Sequence, residues 1–88
     1  MSKLSQRVID KIQEDILFTL YENNPKAIFA NAIAKEIARD NELVLNLLFE
    51  LKQKGLVTSI SKSKTGKSYI NRKRWTLTDK AYEAYKTI

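Results

Sequence analysis

Leu4, Val8, Ile12, Ile16 and Leu20 recur at every fourth position, and Ile9, Leu17 and Tyr21 widen the same stripe. Apolar residues at this spacing, with polar and charged residues between them, make one buried helix face. The spacing predicts a first helix over about 4–22. Ser2 or Ser5 can cap its start, and Asn23-Asn24-Pro25 ends it because the residue before proline is pushed out of the α region. Ala27-Ile28-Phe29 is too short for more than a β bridge. Ile33, Ala34, Ile37 and Ala38 then mark a second, shorter helix over about 30–39.

Asp40 is placed to cap a third helix over about 41–54, its carboxylate accepting an orphan N–H at the positive end of the helix dipole. That helix buries Val44, Leu47, Leu48 and Leu51 and stops at Lys54-Gly55, where glycine can turn left-handed. Beyond Gly55 the period changes. Leu56 to Ser61 is rich in β-branched residues, Lys64-Thr65-Gly66-Lys67 is turn-like, and Ser68 to Leu77 resumes with Tyr69, Ile70, Trp75 and Thr76. This reads as a β-hairpin over about 56–77. Its arms are unequal, so either it carries a bulge or the tail of its second arm pairs with Ile28-Phe29. Thr78-Asp79 caps a last helix over about 78–88, whose stripe of Ala81, Tyr82, Tyr85 and Ile88 can pack on the first helix. The fold class expected is mainly α with a β-hairpin (α+β), as a single domain over residues 1–88, with Trp75 in the core.

Composition narrows the chemistry. The chain has 88 residues, 43% of them apolar, enough for a core without staples. It contains no Cys and no His, which removes disulfides, thiolate catalysis, the commonest metal ligands and the only side chain that titrates near neutrality unperturbed. Gly55 and Gly66 are its only glycines, so there is no phosphate-cradling loop. No catalytic residue, metal site, cofactor or small-molecule effector is expected. Met1 to Ser5 leads directly into a charged amphipathic pattern and does not resemble a signal peptide. The longest near-apolar stretch, Leu43 to Leu51, is interrupted by Asn46 and Glu50 and is about half the ~20 residues needed to span a bilayer. A soluble, cytoplasmic protein without membrane contact is the expectation.

Charge then singles out one segment. Residues 1–56 carry eight Lys/Arg against eight Asp/Glu, and residues 75–88 carry two against two. The whole net charge of +6 lies between them, in Lys62, Lys64, Lys67, Arg72, Lys73 and Arg74. Edge strands use Lys to stay soluble, but six cations with no interleaved acid repel one another, which solubility does not require. A neutral body with one basic arm suits a domain that meets a polyanion at one place.

Three strings carry a family resemblance. Ile33-Ala34-Lys35-Glu36-Ile37-Ala38 resembles the "ELAxxL" segment of the first helix of a helix-turn-helix. Leu47 to Val57 is similar to the "LLxxLxxKGLV" that ends a recognition helix and enters the wing. Leu77-Thr78-Asp79-Lys80-Ala81 resembles the "LTxKG" that follows the wing in MarR-like and related bacterial and archaeal regulators. Together they resemble a winged helix-turn-helix domain over about residues 15–83. The resemblance implies the order α1-β1-α2-α3-β2-β3-α4, a third helix in the major groove, and a wing along the DNA backbone. The wing so placed is the basic arm. The chain departs from the pattern where glycine is usual in the turn before the third helix, since Ala38 and Arg39 stand there, and where a capping Ser or Thr is usual, since Phe29 precedes the second helix.

The third helix is the awkward element. At about 100° per residue its outward face presents Glu42, Asn46, Phe49 and Gln53, flanked by Leu45 and Glu50, with no Lys or Arg. Asn41, Asn46 and Gln53 are the candidate base contacts, Asn pairing bidentately with adenine, or else are solvated amides. Leu45 and Phe49 offer apolar surface suited to protein. Val8, Ile9, Ile12, Tyr82, Tyr85 and Ile88 are candidate dimer contacts, unless the first and last helices satisfy each other within one chain. The reading adopted is a homodimeric double-stranded DNA-binding transcriptional regulator. Its alternatives are a protein-interaction module using Leu45 and Phe49, or an RNA or single-strand binder using the hairpin with Tyr69 as a stacking platform.

Overall fold

The structure, a computed structural model, describes residues 5–60 and 73–87. These form α1 (Gln6–Asn23), β1 (Ile28–Phe29), α2 (Ala30–Ile37), α3 (Asn41–Gln53), β2 (Val57–Ile60), β3 (Arg74–Leu77) and α4 (Asp79–Lys86). The element order is the expected one. Among the described residues the strands make one antiparallel sheet of order β1-β3-β2. Ile28 faces Trp75 and Phe29 faces Arg74, so the tail of the hairpin's second arm does pair with the bridge. On its other edge β3 pairs with β2, Val57 opposite Leu77 and Ile60 opposite Arg74.

The helices start where side chains can accept backbone N–H groups. Ser5 Oγ accepts from Val8, Asp40 Oδ2 from Glu42 and Leu43, and Thr78 Oγ1 from Ala81. Thr78 also ties two elements together, because its hydroxyl donates to the Gly55 carbonyl at 2.8 Å. Phe29 precedes α2 without a side-chain cap.

Two helices end in one motif. After α3, Gly55 N–H donates to Lys52 O and Leu56 N–H to Leu51 O, both at 3.0 Å. After α2, Ala38 N–H donates to Lys35 O at 3.3 Å and Arg39 N–H to Ala34 O at 2.9 Å. Each paired closure needs a left-handed residue, which is Gly55 at φ 78 in one case and Ala38 at φ 58 in the other. The second helix, expected to reach Arg39, therefore stops at Ile37, and the turn into α3 is completed by alanine in a glycine conformation.

The core runs through Ile12, Ile16, Leu20, Ile33, Val44, Leu48, Leu51, Val57 and Trp75, which are essentially inaccessible to solvent. Two polar residues are buried with it. Gln13 donates to Glu50 Oε1 at 3.4 Å, and Thr19 donates to the Asp15 carbonyl at 2.9 Å.

Several expected dimer contacts are engaged within the chain. Ile12 is 0% exposed; it is a core residue and cannot meet a second protomer. Val8 and Ile9 pack half-buried against that core. Tyr21 stacks on Tyr85, with centroids 5.2 Å apart, and lies 5.5 Å from Tyr82. The Tyr85 hydroxyl reaches the Glu14 carbonyl at 3.5 Å. Its pKa is raised, chiefly by burial and then by Glu14 and Asp15. Ile88 lies outside the described residues.

The paired helix ends make opposite predictions. A left-handed non-glycine residue costs about 1–2 kcal/mol, part of which a glycine returns through the entropy of the unfolded chain. Ala38→Gly should therefore raise stability by about 0.5–1 kcal/mol. No atom lies within 4 Å of a Cβ built on Gly55, so Gly55→Ala should cost about 1 kcal/mol through backbone strain alone. Urea unfolding followed by circular dichroism measures both, and equal shifts of the same sign would be incompatible with this assignment.

Candidate nucleic-acid interface

α3 exposes one long face, and the wing root lies along its flank. Glu42, Asn46, Phe49 and Gln53 are exposed, as the periodicity requires. Asn46 and Gln53 are two turns apart on one line. Asn41, also exposed, lies about 140° round the helix from Asn46 at about 100° per residue, so the structure does not group it with the other two amides. Leu45 is half-buried and packs against the core, so it is not the free apolar surface expected of a docking residue. The flanking carboxylate Glu50 is turned toward α1, where it accepts from Gln13.

Phe49 has a role that periodicity does not show. It keeps 37% of its surface exposed, yet its ring meets the buried Trp75 in a T-shaped contact, with centroids 5.4 Å apart and planes at 89°. Trp75 is held here by packing, since its indole Nε1 finds no acceptor among the described residues. The Lys73 ammonium sits 5.6 Å from the centroid of the same Phe49 ring. A wing cation thus reaches the exposed face of α3. Beside it Lys52 donates to Ser59 Oγ at 3.1 Å, a second contact between α3 and the wing root.

The two described wing cations diverge. Successive residues of a strand point to opposite faces of a sheet. Trp75 and Leu77 face the core, whereas Arg74 faces away and lies 5.1 Å from the Phe29 ring. Phe29, Arg74 and Ile60 stand opposite one another across the three strands, and Ile60 is 43% exposed. Lys73 and Arg74, adjacent in sequence, thus lie over different rings, Phe49 and Phe29. Lys62, Lys64, Lys67, Arg72 and Tyr69 lie outside the described residues. The cation–aromatic contacts join residues 24 and 45 positions apart, and nothing local in the sequence marks them. Among the described residues no group of acids could hold a metal ion, and no helix is long and apolar enough to cross a membrane.

Comparison with known proteins agrees with this geometry. The family model described as winged helix-turn-helix transcription repressor, HrcA DNA-binding, matches residues 4–87. Similar solved structures include the MepR–DNA complex of S. aureus, at TM-score 0.69 and 28% identity over 92% of this chain and 66% of that one. A ZitR variant of Lactococcus lactis matches at TM-score 0.69 and 23% identity, covering 99% of this chain and 56% of its own. The Zalpha domain of Carassius auratus PKZ, in complex with Z-DNA, matches at TM-score 0.66 and 22% identity over 81% of this chain and 98% of that domain. The latter two share the fold. The chain spans 56% of the MepR and ZitR chains heading these matches, and no curated protein matches it. The chain belongs to the HrcA-type winged helix-turn-helix family of DNA-binding transcription repressors.

The corner where α3 meets the wing should respond to mutation in two distinguishable ways. An aromatic pair contributes about 0.5–1.5 kcal/mol beyond area burial, so Phe49→Leu should cost about 1 kcal/mol in thermal or urea unfolding. Lys73→Gln removes a half-exposed cation over the ring and should change stability by about 0.5 kcal/mol or less. A larger loss at Lys73 than at Phe49 would show that the cation, not the indole, holds the ring.

Proposed function

We propose that this winged-helix domain binds double-stranded DNA as a homodimer in the cytoplasm, with α3 along the major groove and the basic wing on the phosphate backbone. It acts by occupying its site, without chemistry or cofactor. The observation that carries the reading is Lys73 over Phe49, which joins the exposed face of α3 to the arm holding the chain's net charge. Lys62, Lys64, Lys67, Arg72, Lys73 and Arg74 supply phosphate contacts, which position the protein. Asn46 and Gln53 supply polar contacts to base edges, which specify the site, with Asn41 at the entry of the helix. Glu42 weakens affinity for any sequence by facing the same phosphates. The MepR–DNA complex, at 28% identity, supports the choice of duplex DNA.

A two-fold pair would offer two wings to successive turns of the duplex, about 34 Å apart. With Ile12 in the core and Tyr82 and Tyr85 covered by Tyr21, the pairing surface is the outer side of this helix pair. Phe18, 50% exposed, stands one turn beyond Glu14 and three residues before Tyr21, both of which meet α4.

Two measurements test the reading. With three or four phosphates contacted per subunit, log affinity for duplex DNA should fall against log salt with a slope of about −3 per subunit. Replacing Lys64, Lys67, Arg72 and Arg74 by Gln should nearly abolish binding, and single-stranded competitor should not displace the duplex. Undiminished affinity in that variant removes the wing from the mechanism. For the pair, Phe18→Ser touches an exposed position and should leave the fold intact while shifting sedimentation from dimer to monomer. A wild-type chain that sediments as a monomer at high micromolar concentration contradicts the homodimer.

A further inference from the structure

α3 carries a contact of a kind that its polar residues do not supply. Three large apolar side chains are markedly exposed among the described residues: Phe18 on α1, Ile60 on β2 and Phe49 on α3. Phe49 differs from the other two because its position is fixed. Trp75, itself 0% exposed, meets the ring at 5.4 Å, and Lys73 stands over it at 5.6 Å. A ring held this way loses little freedom when a ligand meets its uncovered part. It stands between Asn46, three residues earlier, and Gln53, four residues later, on the face assigned to the groove. In the major groove the apolar feature of the base edges is the 5-methyl group of thymine, and contact with it is the readout open to an aromatic side chain.

We infer that Phe49 reads thymine, the uncovered part of its ring packing against the 5-methyl group while the Lys73 ammonium beside it takes the adjacent phosphate. The inference rests on α3 entering the major groove, as proposed above. It also assigns a use to the mixed character of the corner, since an apolar ring flanked by a cation matches a methyl group flanked by a phosphate.

The test uses the tightest duplex selected from a random 20-base-pair pool, synthesised once with thymine and once with deoxyuridine throughout. The two differ only in the methyl groups. Burial of one methyl-sized group is worth roughly fourfold in affinity, so wild-type protein should bind the uracil duplex at least about fourfold more weakly. Phe49→Ala should bind both duplexes equally. Lys73→Gln should weaken both equally and lower the magnitude of the salt slope by about 0.9, while preserving the thymine-to-uracil ratio. Equal affinity of wild-type protein for the two duplexes overturns the inference, and this comparison stands even if Phe49→Ala fails to fold. A ratio that persists in folded Phe49→Ala overturns it as well. Absence of binding to either duplex is a different failure, because it removes the DNA-binding reading on which the inference depends.

Discussion

β3 is the element on which the others depend, because it is paired on both edges and carries Trp75. Its partners are anchored independently. β1 runs directly into α2, and β2 leaves α3 through the Gly55 turn, whose carbonyl is held by Thr78 immediately after β3. Trp75 fills the space between this sheet and the helices and touches Phe49 at the surface. Truncating such a residue typically costs 3–5 kcal/mol, a large share of what holds a small domain folded. The same side chain that closes the core therefore fixes where the wing begins relative to α3. Fold and candidate interface share one constraint.

Charge and shape are divided between elements in a way that explains the unusual third helix. A third helix whose only cation, Lys52, is turned to the wing root at Ser59 suits a polyanion poorly when taken alone. In the structure one flanking carboxylate, Glu50, is drawn toward Gln13, and the missing cation arrives from the wing as Lys73. Cations near phosphates give affinity that is blind to sequence, whereas base edges are read by short amides and apolar contacts. In the function proposed above, concentrating the first in the wing leaves α3 free to carry the second.

How much of this was legible in the sequence follows from the range of each interaction. Helix positions and caps depend on residues three or four apart, so Asp40, Thr78 and Gly55 stand at element ends as expected, and of the two serines offered Ser5 caps α1. Trp75 is legible as core from its bulk, whereas the unequal hairpin arms leave a bulge and the Ile28-Phe29 pairing as equal alternatives, of which the second is found. Periodicity says that a helix has a buried face but not what covers its margins. Ile12, expected at a dimer surface, is instead completely buried within the chain. Leu45 looked free for the same reason. The Phe49, Trp75 and Lys73 cluster joins residues far apart in sequence, and no local pattern encodes it. Lys73 and Arg74 are equivalent as charges in the sequence, but the fold lays them over different rings, Phe49 and Phe29.

The turn between α2 and α3 shows how firmly the geometry is imposed locally. Ala38 and Arg39 close α2 through two backbone hydrogen bonds, and Asp40 at once caps α3. With no spare residue between closure and cap, the angle between the two helices is set by the left-handed conformation of Ala38. Alanine is the more costly choice there, so the conformation persists because buried Ile33, Ala34, Val44 and Leu48 hold the two helices together. The same motif at Gly55 meets no such penalty and sets the exit of α3 into the wing. Both ends of α3 are thus oriented by backbone closures and core packing that leave its outer face uninvolved. Asn46 and Gln53 contribute nothing visible to the fold. Their identity is accordingly not constrained by the fold, whereas that of Phe49, packed on Trp75, is.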